Sequence, residues 1–358
     1  MTKSEEITKL ISQKFFLNQF IYTDIYLKKD NEEKEFCDCL IEFENIYICI
    51  QIKEKSEAST SLPYTWYKNK ILHKAKSQIK ATIDYYKDDT NFIFSKSSDL
   101  QIDRSKVVVP VIVFVSNEIT YYERILESKK LDAPINVFKF EDFKTMLETV
   151  VLPYDIIKYL EFRNIFRNNN DGKLFFDNIG DDTILTRCEN EKDYSKLFLV
   201  HYYYKEIIKN NLSEVNIRFY NQIIYQLNEM RQYKRDNFIS GMLLVDYVRA
   251  NTISAKWIKF VENAKKDCFK SPFHFDVDNR VYMFFAKPRT MSEKDFSLRL
   301  DLCLVYYKYK HQKQLAHIFI FKMEDDNNYS VSLCDINLEK DIPYEKLIDQ
   351  AKKFFEEK

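Results

Sequence analysis

Two apolar stretches separated by only two residues constrain the fold of this chain more than any other feature. Residues 36–43 and 46–53 are each rich in apolar side chains that recur with a period of two, and Glu44 and Asn45 lie between them. This pattern predicts two antiparallel strands joined by a tight turn, because successive side chains of a strand point to opposite faces.

The register of this predicted hairpin brings three polar side chains together. If Phe43 pairs with Ile46, then Asp38 faces Gln51, and Lys53 lies on the same face as Gln51. Directly opposed side chains lie about 5 Å apart at Cβ. The other face is a continuous apolar layer suited to packing on a helix, formed by Cys37, Cys39, Ile41, Phe43, Ile46, Ile48, Ile50 and Ile52.

The segments around the hairpin predict an α/β core. The spacing of apolar residues predicts, in chain order, helix 4–18, strand 20–27, the hairpin, helix 63–87, strand 106–115, strand 135–140 and helix 141–150. Pro110 lies inside the most apolar of these strands, although a central strand seldom tolerates proline.

The rest of the chain predicts a second, mixed domain. Helical spacing covers residues 193–267, and the chain then returns to the order strand, helix, strand, strand, helix, which echoes the first core after its hairpin. The polar, Asn-rich segment Arg163–Lys173 is the best candidate for a linker. We therefore predict one domain over residues 1–160 and a helical and α/β domain over residues 161–358.

Composition excludes several classes of function. The 3 glycines are scattered singly, whereas the phosphate-binding loops of nucleotide-dependent enzymes need clustered glycines. Lysine plus arginine equals aspartate plus glutamate at 55 each, so affinity for nucleic acid has to come from a local basic patch. The longest apolar run is too short for a membrane span, and the N-terminus lacks a secretory segment. We expect a cytoplasmic protein without a membrane partner.

The polar end of the hairpin has the donor atoms for metal-assisted hydrolysis. Mg²⁺ or Mn²⁺ prefers hard oxygen ligands, which the Asp38 carboxylate and the Gln51 side-chain carbonyl offer. Such a cation would lower the pKa of a bound water, and Lys53 could orient that water or stabilise the transition state. A second carboxylate, from Glu35 or from Glu6 on the first helix, would complete the site. Glu35 needs a bend or bulge to join the face of Asp38.

A structural interpretation of the same residues is also open. Gln51 and Lys53 could lie on a solvated sheet face with Asp38 as a cross-strand partner, because polar residues alternate in this way on many sheets.

The hairpin resembles the PD-(D/E)XK nuclease superfamily. The resemblance lies in Asp38, twelve intervening residues and then Gln51-Ile52-Lys53 on consecutive strands, in the variant where Gln replaces the second acidic residue. The segments KEFCDCLIEF and IYICIQIKEK are similar to a nuclease-like branch of bacterial defence proteins, as is the following helix with Trp66, Lys70, Ala75 and Gln78.

This resemblance covers about residues 1–150 and implies a restriction-endonuclease-like core, in which a mixed sheet is flanked by helices. It implies that Asp38 and Gln51 bind Mg²⁺ and that Lys53 assists hydrolysis. It also implies that an acidic residue of the preceding helix, here Glu6, contributes to the site.

The predicted helix 63–87 forms a local basic patch. No acidic residue occurs between Glu57 and Asp84, whereas lysines recur along this stretch. A phosphate backbone could bind there beside the hairpin, and the candidate nucleic-acid-binding residues are Lys68, Lys70, Lys74 and Gln78. The alternative is an ordinary solvated helix face.

Together these features predict a metal-dependent nuclease that hydrolyses phosphodiester bonds, of DNA rather than RNA. The resemblance adds bacterial antiviral defence as a setting. We expect the second domain, over residues 161–358, to recognise the substrate, bind a protein partner or form a homo-oligomer. The alternative is a catalytically inactive nuclease-fold protein that binds nucleic acid or protein within a defence complex. That alternative stays open because no proline precedes Asp38.

Overall fold

The computed structural model of the protein describes residues 3–29, 32–56, 59–128, 131, 133–167, 172–179, 182–209, 212–231, 237–265, 272–323, 329–341 and 345–356. The chain divides into two compact units, residues 1–212 with 221–235 and residues 213–220 with 236–358. The boundary predicted between residues 160 and 161 therefore falls within the first unit.

The first unit is mixed α/β, as predicted. Its elements in chain order are α1 (Lys3–Phe16), β1 (Ile21–Tyr22), β2 (Ile25–Lys29), β3 (Glu32–Cys37), β4 (Cys39–Phe43), β5 (Ile46–Glu54), α2 (Pro63–Tyr67), a π-helical segment (Lys68–Ala75), α3 (Lys76–Lys87), β6 (Phe92–Ser95), β7 (Val107–Val115), β8 (Ile125–Leu126), β9 (Ile135–Lys139), α4 (Phe140–Val150), α5 (Pro153–Phe162), a 3₁₀ turn (Arg163–Phe166), β10 (Lys173–Ile179), β11 (Asp182–Cys188) and α6 (Glu191–Lys209).

A six-stranded mixed sheet forms the centre of this unit, in the order β1-β4-β5-β7-β9-β8. Strands β5, β7 and β9 are parallel, and the outer strands run antiparallel to their neighbours. The register of β7 with β9 begins at Val111, so at Pro110 the described ladder has a partner only on the β5 side. The sheet therefore accommodates the proline that the sequence places in this strand.

Helices cover both faces of the sheet. On one face Tyr47 and Cys49 belong to the core beneath the helix over residues 63–87. On the other face Phe43 contacts Phe16 of α1, with ring centroids 6.4 Å apart. The predicted mixed sheet flanked by helices is thus confirmed. The solvated alternative does not hold for Gln51, because its side chain points to the helix-covered face and is only 2% exposed.

The helix predicted over residues 63–87 is confirmed at both ends, and its middle part is π-helical. Its apolar positions recur every four residues, a repeat that drifts around an α-helix of 3.6 residues per turn. A π-helix, with hydrogen bonds from i to i+5, has more residues per turn and offsets this drift. One buried face results, formed by Tyr67, Ile71, Ala75, Ile79 and Ile83.

A second sheet, in the order β3-β2-β6, lies beside the main sheet. The sequence predicted one strand over residues 36–43, but the structure breaks it at a bend at Asp38. The segment before the bend pairs with β2, and the segment after it pairs with β5. Asp38 therefore lies where the chain passes from one sheet to the other.

The predicted linker at Arg163–Lys173 is wrong for its first part. Arg163 and Phe166 are fully buried, and the Arg163 guanidinium lies 3.5 Å from the centre of the Phe138 ring. The same guanidinium donates a hydrogen bond to the backbone oxygen of Val137. The polar, Asn-rich composition of this segment gave no indication that Arg163 packs into the core. Residues 168–171 lie outside the described residues.

The second unit is also mixed α/β. It contains α8 (Asn237–Leu243), α9 (Tyr247–Lys265), β12 (Phe273–Val277), β13 (Arg280–Lys287), α10 (Glu293–His311), β14 (Leu315–Met323), β15 (Tyr329–Asn337) and α11 (Ile348–Glu356), while α7 (Glu214–Arg231) contributes residues to both units. Its sheet has the order β12-β13-β14-β15, and only the β13–β14 pair is parallel. None of the described helices has both the length and the apolar character needed to cross a membrane.

Candidate active site

The hairpin of β4 and β5 has the register that the sequence predicts. Phe43 pairs with Ile46, and the ladder continues as far as Cys39 and Ile50. Asp38 comes next, in the bend before β4, and its Oδ2 accepts a hydrogen bond from the backbone N–H of Ile52. The carboxylate thus binds an amide of β5 at the point where pairing with β4 ends.

Lys53 joins Asp38 and Gln51 into one cluster. Its Nζ lies 3.6 Å from Asp38 Oδ2 and 3.3 Å from Gln51 Oε1. The same ammonium donates a hydrogen bond of 2.9 Å to the backbone oxygen of Ile52. The Lys53 side chain keeps 17% of its surface exposed. A carboxylate oxygen, a side-chain amide oxygen and a backbone carbonyl oxygen therefore surround the Lys53 ammonium at the end of β5. Solvent can reach this group.

The predicted carboxylate Glu35 lies close to this cluster. The register of β2 and β3 shifts between Ile25 and Tyr26, so that Ile25 pairs with Cys37 but Tyr26 pairs with Glu35. This register shift and the bend at Asp38 interrupt the regular alternation of side chains between the two faces. Glu35 needs such an interruption to join the face of Asp38.

The first helix contributes Glu5 rather than Glu6 to the surroundings of the site. Glu5 is half-buried and acts electrostatically on both Asp38 and Glu35, whereas Glu6 is exposed. The next residue along, Ile7, is exposed too, although it is apolar.

The buried face of α1 is partly polar, and it includes Ser4, Thr8 and Ser12. Because these residues are polar, the apolar periodicity of the sequence does not reveal this face. The hydrogen bond from Ser4 Oγ to Glu54 Oε2, at 2.7 Å, joins the first turn of the helix to the end of β5. The spacing of Glu5 from Thr8 and Ser12, three and seven residues, would have been the signal for the correct carboxylate.

Burial and like charges raise the pKa values of two carboxyl groups in this cluster. The pKa of Asp38 is raised chiefly by burial and also by Glu5, against the opposing effects of Lys53 and the Ile52 amide. The pKa of Glu35 is raised by partial burial and then by the charges of Asp38 and Glu5. Burial is the main cause of both shifts, and the like charges of neighbouring carboxylates add to it.

Few of the side chains in this cluster belong to the residue types that most often bind metals. Among the described residues, no three His, Cys, Asp or Glu side chains are placed to hold one metal ion. A cation at this point would be bound by one carboxylate, from Asp38, together with the Gln51 amide oxygen and the Ile52 carbonyl. These are hard oxygen ligands of the kind that Mg²⁺ and Mn²⁺ prefer.

The predicted nucleic-acid-binding residues fall on two parts of the long helix surface. Lys68, Lys70 and Lys74 are exposed on the π-helical segment, whereas Gln78 is half-buried. The side-chain oxygen of Gln78 is buried and has no hydrogen-bond partner within the part of the chain that the structure describes. A neighbouring groove of about 490 Å³ is lined partly by His73, Lys76, Ser77 and Lys80.

Comparisons of this chain with protein-family models, with curated proteins and with solved structures found no match.

Proposed function

We propose that the protein is a metal-dependent nuclease and that its first unit is a restriction-endonuclease-like core. The observation that carries the proposal is the convergence of Asp38, Gln51 and Lys53 at the end of β5, with Lys53 Nζ within 3.6 Å of oxygen atoms from both partners. Helix α1, the hairpin and the helix over residues 63–87 occur in the order that the resemblance implies.

The residues present fit a divalent cation. Its ligands would be Asp38, Gln51 and the carbonyl of Ile52, because their oxygens already surround the Lys53 ammonium. Neighbouring carboxylates add negative charge beside them. A bound Mg²⁺ or Mn²⁺ would supply Lewis acidity for hydrolysis of a phosphodiester. Lys53 would then turn its ammonium towards the scissile phosphate and stabilise the negative charge that develops there.

The substrate that we propose is DNA. The exposed lysines of the long helix are Lys68, Lys70 and Lys74. This helix is the element that follows β5 in the chain. Phosphate contacts from such lysines position a nucleic acid without reading its sequence. We place the activity in bacterial antiviral defence on the resemblance alone.

A second function fits one observation. Lys53 itself occupies the position among the three oxygens, so the ion pair with Asp38 could replace a metal permanently. In that case the protein is an inactive nuclease-fold component of a defence complex that binds nucleic acid or protein.

Plasmid cleavage separates the two functions. The full chain is incubated with supercoiled DNA and Mg²⁺ or Mn²⁺, and wild type is compared with Asp38→Asn and with Lys55→Met. Lys55 is a matched control because it pairs with Glu118 rather than with Asp38. Cutting by wild type and the control but not by Asp38→Asn supports the nuclease. Binding without cutting by wild type, also in the presence of the proteins encoded beside it, contradicts the nuclease and supports the inactive component.

A further inference from the structure

Three aromatic rings form a strip on the outer face of the sheet β3-β2-β6. Tyr26 and Phe94 are paired across β2 and β6, with ring centroids 6.3 Å apart. Phe92 stacks on Phe94 at 5.7 Å, with an angle of 19° between the ring planes. Phe92 is 65% exposed, and the other two rings are half-buried. We call Tyr26, Phe92 and Phe94 the aromatic strip.

The fold does not require aromatic residues at these positions. Alternate residues of the same strands, Ile25, Leu27 and Ile93, point inward and are buried in the core. The outer face of a sheet with one buried face is normally polar. One exposed and two half-buried rings aligned on two neighbouring strands therefore indicate a binding surface rather than a requirement of packing.

Positive charges accompany the aromatic strip. Lys96 Nζ lies 3.9 Å from the centre of the Tyr26 ring and 2.8 Å from Glu33 Oε2. Lys28, which is exposed, is the cross-strand partner of Phe92. One ammonium group thus lies over a ring of the strip, and a second cationic residue stands opposite Phe92 on the same face. This arrangement suits a ligand with both phosphates and planar bases.

The aromatic strip leads into the candidate active site. Glu35 is the cross-strand partner of Tyr26, so both side chains lie on the same face of the small sheet. Glu35 in turn interacts electrostatically with Asp38 and Lys53. A chain that lay along the strip past Tyr26 would therefore run towards the cluster at the end of β5.

We propose that the aromatic strip binds unpaired bases of single-stranded nucleic acid whose backbone continues to the cluster of Asp38, Gln51 and Lys53. This inference rests on the proposed nuclease function and names its substrate class. A base can stack on a protein ring only when its own face is free, and in a duplex the neighbouring base pairs cover that face. Lys28 and Lys96 would attract the adjoining phosphates. The substrate is thus a single strand, or a strand opened near the site of cutting.

Binding measured without cleavage tests this inference. The full chain in EDTA is titrated into a fluorescent oligothymidylate and into a blunt duplex of equal length, and anisotropy gives Kd for each. We expect tighter binding of the single strand, and a Kd weakened about 5-fold to 150-fold in Phe92→Ala. Phe92→Trp should retain the affinity because it retains a stacking surface. Tyr121→Ala is the matched control, since Tyr121 is 75% exposed in the same unit but lies outside the strip.

The outcomes for the strip and for the nuclease are separable. If Phe92→Ala binds oligothymidylate as tightly as wild type, or if wild type binds neither oligonucleotide, the strip does not bind single strands, even if plasmid cleavage is observed. The second result would favour a protein partner for this face. If Phe92→Ala loses affinity while wild type never cuts, the strip proposal stands and the nuclease proposal fails.

Discussion

Lys53 and Asp38 form an ion pair of 3.6 Å in which both side chains are largely buried. The pair lies where β4 ends and β5 continues alone beside β7. Both partners can therefore reach a ligand at the sheet edge, and each is held by a further bond to Ile52.

Replacing Lys53 with methionine should remove catalysis and leave binding intact. The cleavage rate with Mg²⁺ should fall about 10²-fold to 10³-fold, as for the loss of one group that stabilises transition-state charge. Affinity for DNA in EDTA should stay near the wild-type value, because Lys53 is one of many cationic groups. Lys55→Met provides the comparison. Equal losses of rate in both variants would mean that general charge, and not the position of Lys53, matters.

Replacing Asp38 with asparagine should stabilise the metal-free protein at neutral pH. The folded-state pKa of Asp38 is raised above its ordinary value, mainly by burial. Below the unfolded-state pKa of about 3.9 the carboxyl group is protonated in both states and costs nothing. As pH rises through the folded-state pKa, ionisation favours the unfolded state and wild type loses stability. Asparagine has no such loss.

Thermal unfolding in EDTA measures this difference. We expect a higher melting temperature for Asp38→Asn than for wild type at pH 7.5, and a smaller difference at pH 4. Mg²⁺ should raise the melting temperature of wild type more than that of the variant, because ligands that bind only the folded state stabilise it. A variant less stable than wild type at pH 7.5 would contradict the stated cost of burying this carboxylate.

Replacing Glu191 with alanine should strongly destabilise the first unit. This fully buried carboxylate lies 2.5 Å from Arg124 and 3.4 Å from Arg163, and it accepts a hydrogen bond from Tyr159. Its loss leaves two buried guanidinium groups without their counter-ion, at a cost of about 3–5 kcal/mol. Urea denaturation measures the free energy of unfolding. Glu189→Ala is the control, because its pair with Arg187 is exposed and should change stability by less than about 1 kcal/mol.

Neutralising Lys68, Lys70 and Lys74 together to glutamine should weaken binding of duplex DNA and reduce its dependence on salt. Each lost phosphate contact lowers the slope of log K against log salt by about 0.9. Anisotropy titrations at several salt concentrations give this slope. Exposed lysines on α6, Lys192 and Lys196, serve as the control pair. An unchanged slope in the triple variant would assign these lysines to an ordinary solvated face.

Local sequence patterns were sufficient for much of the first unit. The hairpin register, both ends of the helix over residues 63–87 and the strands β5 and β7 follow from periodicity and turn position, and the structure confirms them. These features depend on neighbours in the sequence, so a pattern of side chains defines them. The placement of Asp38, Gln51 and Lys53 near one another follows from the same register.

Other features depend on contacts between residues far apart in the chain. Periodicity favoured an apolar face for α1, but the helix meets the polar end of β5, so Ser4 and Thr8 are buried and Glu5 replaces Glu6 near the site. A polar composition indicated a linker at Arg163, but burial beside Phe138 decided otherwise.

The sequence by itself determined strands β5, β7 and β9, the long helix and the three residues at the end of the hairpin, because hydrogen-bond periodicity couples each residue to those nearby. Only the tertiary structure decided which faces are buried and that Tyr26 stands beside Glu35. The pairing of β2 with β3 and β6, and the helices on both faces of the main sheet, are consequences of packing the first unit around its own core.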